Sequence, residues 1–243
     1  MEKSIHPIAK MEHQQSKRTF IIRWSFFTIG LIILALGIAL TIKGEKLGIG
    51  PWDVFHVGLY EKFGLTVGSW SIIAGVIIVA ITSIAWKQWP QFGTILNMFL
   101  LGVFIDIFLL ILPNPDTMLM MVLCFVTGVI ILAYGIGIYV APELGAGPRD
   151  GLMLLIHDVT GWKVQWVRNG IEITVFLLGW MLGGPVGIGT VIIAFFLGTL
   201  VGYTLPQSKK WLDYCIQRGE QNENINKRSI RSDNHDRVSQ KVR

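Results

Sequence analysis

The sequence predicts an all-α, polytopic membrane protein. It has six transmembrane helices in two inverted three-span repeats, each with a short half-helix after its first span. Three observations predict this. The chain has 243 residues, of which 52% are apolar and only 15% charged, with a mean hydropathy of +0.55, and several uncharged runs approach the roughly 20 residues that cross a hydrocarbon core. Leu47-Gly48-Ile49-Gly50-Pro51-Trp52-Asp53 returns as Leu144-Gly145-Ala146-Gly147-Pro148-Arg149-Asp150, 97 residues later. Three spans in each half is an odd number, so the second half enters the membrane upside down relative to the first. A soluble protein with buried helices would need shorter runs and an amphipathic stripe, and is excluded.

The elements follow in order. Residues 1–23 form a polar, basic cytoplasmic N-terminal tail, and repeat 1 covers 24–113. Its first span, 24–42, is uncharged. The motif then starts a helix: glycines allow the turn, Pro51 suits the first helical position, and Asp53 sits over the positive end of the helix dipole. A half-helix over 51–63 would be roughly 18 Å long, too short to cross. Spans at 65–86 and 92–112 complete the half, the second interrupted by Asp106 and closed by Pro113-Asn114-Pro115-Asp116.

Repeat 2 covers 118–206, with a span at 118–140, a half-helix at 148–159 and spans at 163–182 and 186–205. Pro206 is expected to stop the last span. Residues 207–243 then form a cytoplasmic basic tail, mostly disordered outside a short stretch around Trp211 to Ile216.

Charge is concentrated at the ends. Residues 1–23 carry five Lys/Arg and two acids, residues 207–243 nine and five, and the body seven and nine. Basic membrane flanks give this pattern and a nucleic-acid groove does not. The positive-inside rule places both termini in the cytoplasm. Cys124 and Cys215 give no disulfide framework or metal spacing, and the first span is expected to stay as an anchor. Trp70, Trp86, Trp89 and Trp162 fit interfacial belts.

The repeat extends beyond the motif. Gly30 to Gly37 aligns with Gly128 to Gly135, Gly64 with Gly161, Gly93-Thr94 with Gly189-Thr190, and Gly102 with Gly198; the offset drifts only from 98 to 96. On the doubled Leu-Gly-x-Gly-Pro-x-Asp, the six spans and the length, residues 20–206 resemble the YczE/YyaS/YitT group of bacterial integral membrane proteins, in its YczE-like branch. The resemblance implies a bacterial cytoplasmic-membrane protein. It implies little chemistry, although involvement in secondary-metabolite production or export has been suggested for members.

Five residues are candidates for a substrate or ion pathway: Asp53, Asp106, Asp150, Arg168 and Glu172. The half-helix starts are Gly48, Gly50, Pro51, Gly145, Gly147 and Pro148. Asp53 and Asp150 read either as N-terminal caps or as a cation or proton site, since ionisable groups at membrane depth are costly. Free N–H groups at these helix starts also suit an anion, but an aspartate there competes with one. Cation or proton handling is therefore the expected chemistry.

Asp106 reads as a pathway residue or as one reaching the interface. Arg168 and Glu172, four apart, form an expected pair, either snorkelling at the interface or serving the pathway. Their repeat counterparts, near Ser71 and Gly75, are uncharged. His56 and His157 occupy non-equivalent positions, and no metal site or cofactor is expected. Gly198-x-x-x-Gly202 is a helix-packing signal.

No catalytic constellation or phosphate-binding loop is present in the sequence, so an enzyme is not expected. The leading function is a small secondary transporter or exporter of a metabolite or ion. The alternative is a non-transporting membrane scaffold or accessory protein for a biosynthetic or export system. Expected partners are membrane lipids, an unknown small molecule or ion, and a second copy in a homo-oligomer; nucleic acid is not among them.

Overall fold

The structure, a computed structural model, describes residues 17–241 apart from 146, and side chains as far as 218. Residues 1–16 of the expected N-terminal tail and Ala146 of the second motif lie outside the described residues. Eight α-helices carry the described chain: α1 (Lys17–Lys43), α2 (Pro51–Phe63), α3 (Val67–Trp86), α4 (Phe92–Ile111), α5 (Met118–Val140), α6 (Pro148–Thr160), α7 (Val164–Met181) and α8 (Ile188–Lys241). Both half-helices start on the expected prolines, and no strand occurs among the described residues.

The core is the crossing of α1 and α5. Gly30 lies against Tyr139, Leu34 against Gly135, Gly37 against Leu132, and Thr41 against Gly128, so the two helices run antiparallel. Glycine at these positions lets the backbones approach, as in close-packed membrane helix pairs. A methyl group at Gly37 would lie 2.5 Å from the Leu132 nitrogen. Phe27, Leu31, Ala35, Ile38, Leu132 and Tyr139 are buried around this crossing, and α1 is the most enclosed of the long apolar helices.

The half-helices are exchanged between halves. α2 packs on α7, α6 packs on α3, α4 flanks α1, and α8 flanks α5. Each motif loop also rests on the start of a distant helix: Gly48 against Gly187 and Thr190, and Gly145 against Gly93 and Thr94. Both glycines hold positive φ, at 98° and 153°, a region that side chains disfavour.

Two features depart from the sequence reading. Five helices are long and apolar enough to cross a membrane: α1, α3, α4, α5 and the Ile188–Arg218 part of α8. α7 is the sixth expected span. It has 18 residues, and Gln165, Arg168, Asn169 and Glu172 lower its hydropathy.

The second departure is Pro206, which does not end the last helix; α8 continues to Lys241, where a mostly disordered tail was expected. A proline inside a helix removes one backbone bond and crowds the preceding turn. Packing against α5 holds the turn together. Thr204 Oγ1 donates to the Ala133 carbonyl at 2.8 Å, and buried Ser208 Oγ donates to the Thr204 carbonyl at 2.8 Å. Both residues close against Gly137.

Candidate functional site

Each Gly-Pro start sets its third helical residue back over the helix end. The Asp53 carboxylate leans over Gly50 and the Asp150 carboxylate over Gly147, and Asp150 accepts the Gly147 N–H. That reach back to the N-cap matches the acidic half of a capping box and offsets the partial positive charge of the helix end. The capping reading of Asp150 therefore has geometric support. Asp53 is buried, 5% exposed.

The two starts meet through their second helical residues. The Arg149 guanidinium carbon lies 4.6 Å from the centre of the Trp52 ring, a cation–π contact worth about 0.5–2 kcal/mol. Arg149 acts electrostatically on Asp53, His56, Asp150 and Tyr139. Arg168 acts on Asp150 and Tyr139, and Glu172 acts on Asp53. Four of the five candidate pathway residues thus share one electrostatic neighbourhood, drawn from α2, α6 and α7.

Asp106 is elsewhere. Its two oxygens accept the Thr66 hydroxyl at 2.5 Å and the Gly68 N–H at 2.8 Å, clasping the first turn of α3 to α4. Gly68 and Gly102 make the close approach that lets the clasp form. Charge-assisted bonds of this kind contribute about 1.5–3 kcal/mol each. The expected Arg168–Glu172 pair is not formed: among the described residues the ion pair within 4.0 Å is Lys209–Glu143, at 2.6 Å. His157 lies outside the cluster, its Nδ1 2.6 Å from the Trp162 carbonyl oxygen at the end of α6.

Four residues of the neighbourhood were not among the candidates: Trp52, Asn97, Tyr139 and Arg149. Asn97 and Tyr139 approach Gly147, where a methyl group would lie 3.4 Å from Tyr139 Oη, 3.6 Å from Asp150 Oδ2 and 4.0 Å from Asn97 Oδ1. His56, set aside as a metal ligand, is 2% exposed, and its Nε2 has no hydrogen-bond partner among the described residues. A signal for them existed. At the repeat offsets Asn97 faces Ile193, Tyr139 faces Thr41 and Arg149 faces Trp52. The asymmetry that singled out Arg168 and Glu172 marks these positions as well.

Residues 21–206 match the model of a family of unknown function, DUF6198. The chain belongs to this family. It is 51% identical over 202 residues to the uncharacterized membrane protein YczE of Bacillus subtilis, covering 83% of this chain and 94% of that one. It is 32% identical to the uncharacterized protein YyaS of the same organism, over 76% of this chain and 92% of that one. An uncharacterized protein of Haemophilus influenzae is 33% identical over 74% and 82% of the two chains. No solved structure matches. The matched span starts inside α1 and ends at Pro206, so it contains the α1–α5 crossing, both half-helices and the polar cluster. With this membership and five long apolar helices, the chain is a polytopic helical membrane protein of the YczE/YyaS group.

Proposed function

We propose that this chain is a small secondary transporter or exporter of the bacterial cytoplasmic membrane, moving a metabolite or ion, with both termini in the cytoplasm. The observation that carries this reading is the meeting of two half-helix starts, one from each half of the chain, at a polar cluster in which Asp53, His56, Asn97 and Tyr139 are buried. Broken or short helices that bring their ends together inside a bundle are how many such proteins build a binding site.

An inverted repeat of three spans per half underlies the proposal, with α7 as the sixth crossing. The core contacts support it. Exchanging the halves with an offset of 98 turns the Gly30–Tyr139 contact into Gly128–Thr41, and Gly37–Leu132 into Gly135–Leu34. The exchange of α2 onto α7 and α6 onto α3 follows the same two-fold relation.

The relation is broken between the last two helices of each half, which supports movement. α3 and α4 pack tightly, closed by the Asp106 clasp. α7 and α8, their counterparts, do not pack on one another in this way among the described residues, and a methyl group at Gly170, Gly198 or Gly202 would meet open space. Alternating access then consists of α7 closing on α8 while α3 and α4 part.

Flux into proteoliposomes loaded with a metabolite panel tests the transport reading. Asp53→Asn and Asp150→Asn should each reduce flux at least about tenfold, a loss of about 1.4 kcal/mol of transition-state stabilisation, with the elution profile unchanged. Normal flux in both variants would remove the cluster from the pathway. A Gln165→Cys/Gly198→Cys pair, in a Cys124→Ser/Cys215→Ser background, should cross-link only in the exchanged conformation.

A second reading, a non-transporting scaffold or accessory protein, is favoured by α8, which runs well past its apolar part to Lys241. Full function after deletion of residues 219–243, with solute flux present, would count against it.

A further inference from the structure

The start of α6 and the start of α2 share a backbone design, but only at the first does a buried amide approach the N-cap glycine. Asn97 is 3% exposed, its carboxamide reaches Gly147 through Oδ1, and the Nδ2 of the same carboxamide has no hydrogen-bond partner among the described residues. Buried amides nearly always find a partner, so an unmatched one at a helix start points to a ligand group. Tyr139 Oη borders the same place. Arg149 follows Pro148, and its backbone N–H is one of the first-turn donors with no intrahelical acceptor.

The charges agree with the donors. Neither Arg149 nor Arg168 has a carboxylate within 4.0 Å among the described residues. Both act on Asp150, whose carboxylate already accepts the Gly147 N–H. The α6 start therefore combines two guanidinium groups and a positive helix end with one committed carboxylate. At the α2 start, Ile193 packs beside Gly50 where Asn97 approaches Gly147, and Trp52 stands in the place of Arg149. That side offers two carboxylates, Asp53 and Glu172, and the buried His56 imidazole, whose Nε2 is also unpartnered among the described residues.

We infer that the start of α6 binds the carboxylate of a small organic solute, held by Asn97, Tyr139 and Arg149. This deepens the transport reading by naming a group that its substrate carries. It also revises the cation or proton chemistry expected from the aspartates alone, because the donors come from helices that the motif does not include. Binding can be measured without flux, so the two readings fail separately: carboxylate binding without transport defeats only the transporter.

The experiment is a thermal-shift titration of the full-length protein in detergent with sodium acetate. Sodium chloride, methylammonium chloride and inorganic phosphate at matched ionic strength are the comparisons. A ligand that binds the folded state raises Tm in proportion to its occupancy. The expected result is a saturable rise with acetate alone, with the midpoint moved at least about tenfold higher in Arg149→Gln and in Asn97→Ile. Asn97→Ile copies the residue of the other half and serves where the arginine variant does not fold. Three results would overturn the inference: no saturable shift with acetate, a shift with methylammonium or phosphate in its place, or an acetate midpoint unmoved in every folded variant.

Discussion

The starts of α2 and α6 have one backbone and two surfaces. In both, a glycine with positive φ leads to a Gly-Pro helix start, and an aspartate carboxylate lies back over the N-cap. Around α2, the neighbours at the N-cap and the second position are apolar or aromatic, Ile193 and Trp52. Around α6, the corresponding residues are Asn97 and Arg149, with Tyr139 beside them. The shared part solves a folding problem, because a short helix inside a bundle needs its free N–H groups and dipole satisfied. The unshared part is free to recognise something. On the proposed carboxylate site, the repeated motif belongs to the scaffold and the residues that differ between the halves belong to recognition.

The same contrast holds one level up, between the tight α3–α4 pair and the open α7–α8 pair, and it can be tested by substitution. The largest effect is expected at the shared crossing. Gly37→Leu and Gly135→Leu should each abolish monodisperse protein on size-exclusion chromatography, because the added side chain must displace backbone rather than a flexible tip. Overpacking of this kind costs about 1–3 kcal/mol and more where nothing can yield. Gly198→Leu and Gly202→Leu, facing open space, should leave the elution profile unchanged. Equal damage at all four sites would mean that α8 is packed in solution.

A smaller effect is expected at the clasp. Asp106→Ala removes the acceptor of the Thr66 hydroxyl and the Gly68 N–H and should lower stability by about 2–4 kcal/mol, read as a fall in Tm. The position corresponding to Asp106 in the second half is Gly202, so α7 and α8 have no such clasp to lose. Transport that survives Asp106→Ala would place the clasp outside the moving parts.

The smallest effect belongs to the exposed Glu143–Lys209 pair, between the loop before α6 and α8. Lys209 holds the Glu143 carboxyl below its ordinary value of 4.5. A lowered folded-state value means the contribution is complete above that ordinary value and is lost as pH falls through the lowered one. Exposed pairs contribute about 0–1 kcal/mol, so Glu143→Gln should shift Tm barely at neutral pH and not at all in high salt.

Much of the fold was legible because its determinants are local. The half-helix boundaries follow from Gly-Pro starts at Pro51 and Pro148, and from Gly64 and Gly161 at their ends. The continuation past Pro206 was not legible, because Thr204 and Ser208 hold that turn through α5, a contact about 70 residues away in sequence. Asp106 looked like an isolated charge in an apolar run. Its partners Thr66 and Gly68 lie about 40 residues earlier, and only packing brings them to it.

By itself the sequence determined the membrane class, the doubled motif and the two helix starts, because apolar length, glycine geometry and capping act within a few residues. Tertiary structure decided which polar groups meet. Trp52, Asn97, Tyr139 and Arg149 come from four helices, and the α1–α5 crossing and the exchanged half-helices bring them to one place. That convergence sets the repeated aspartates, which the sequence reads as caps or as an ion site, among polar side chains that differ between the two helix starts.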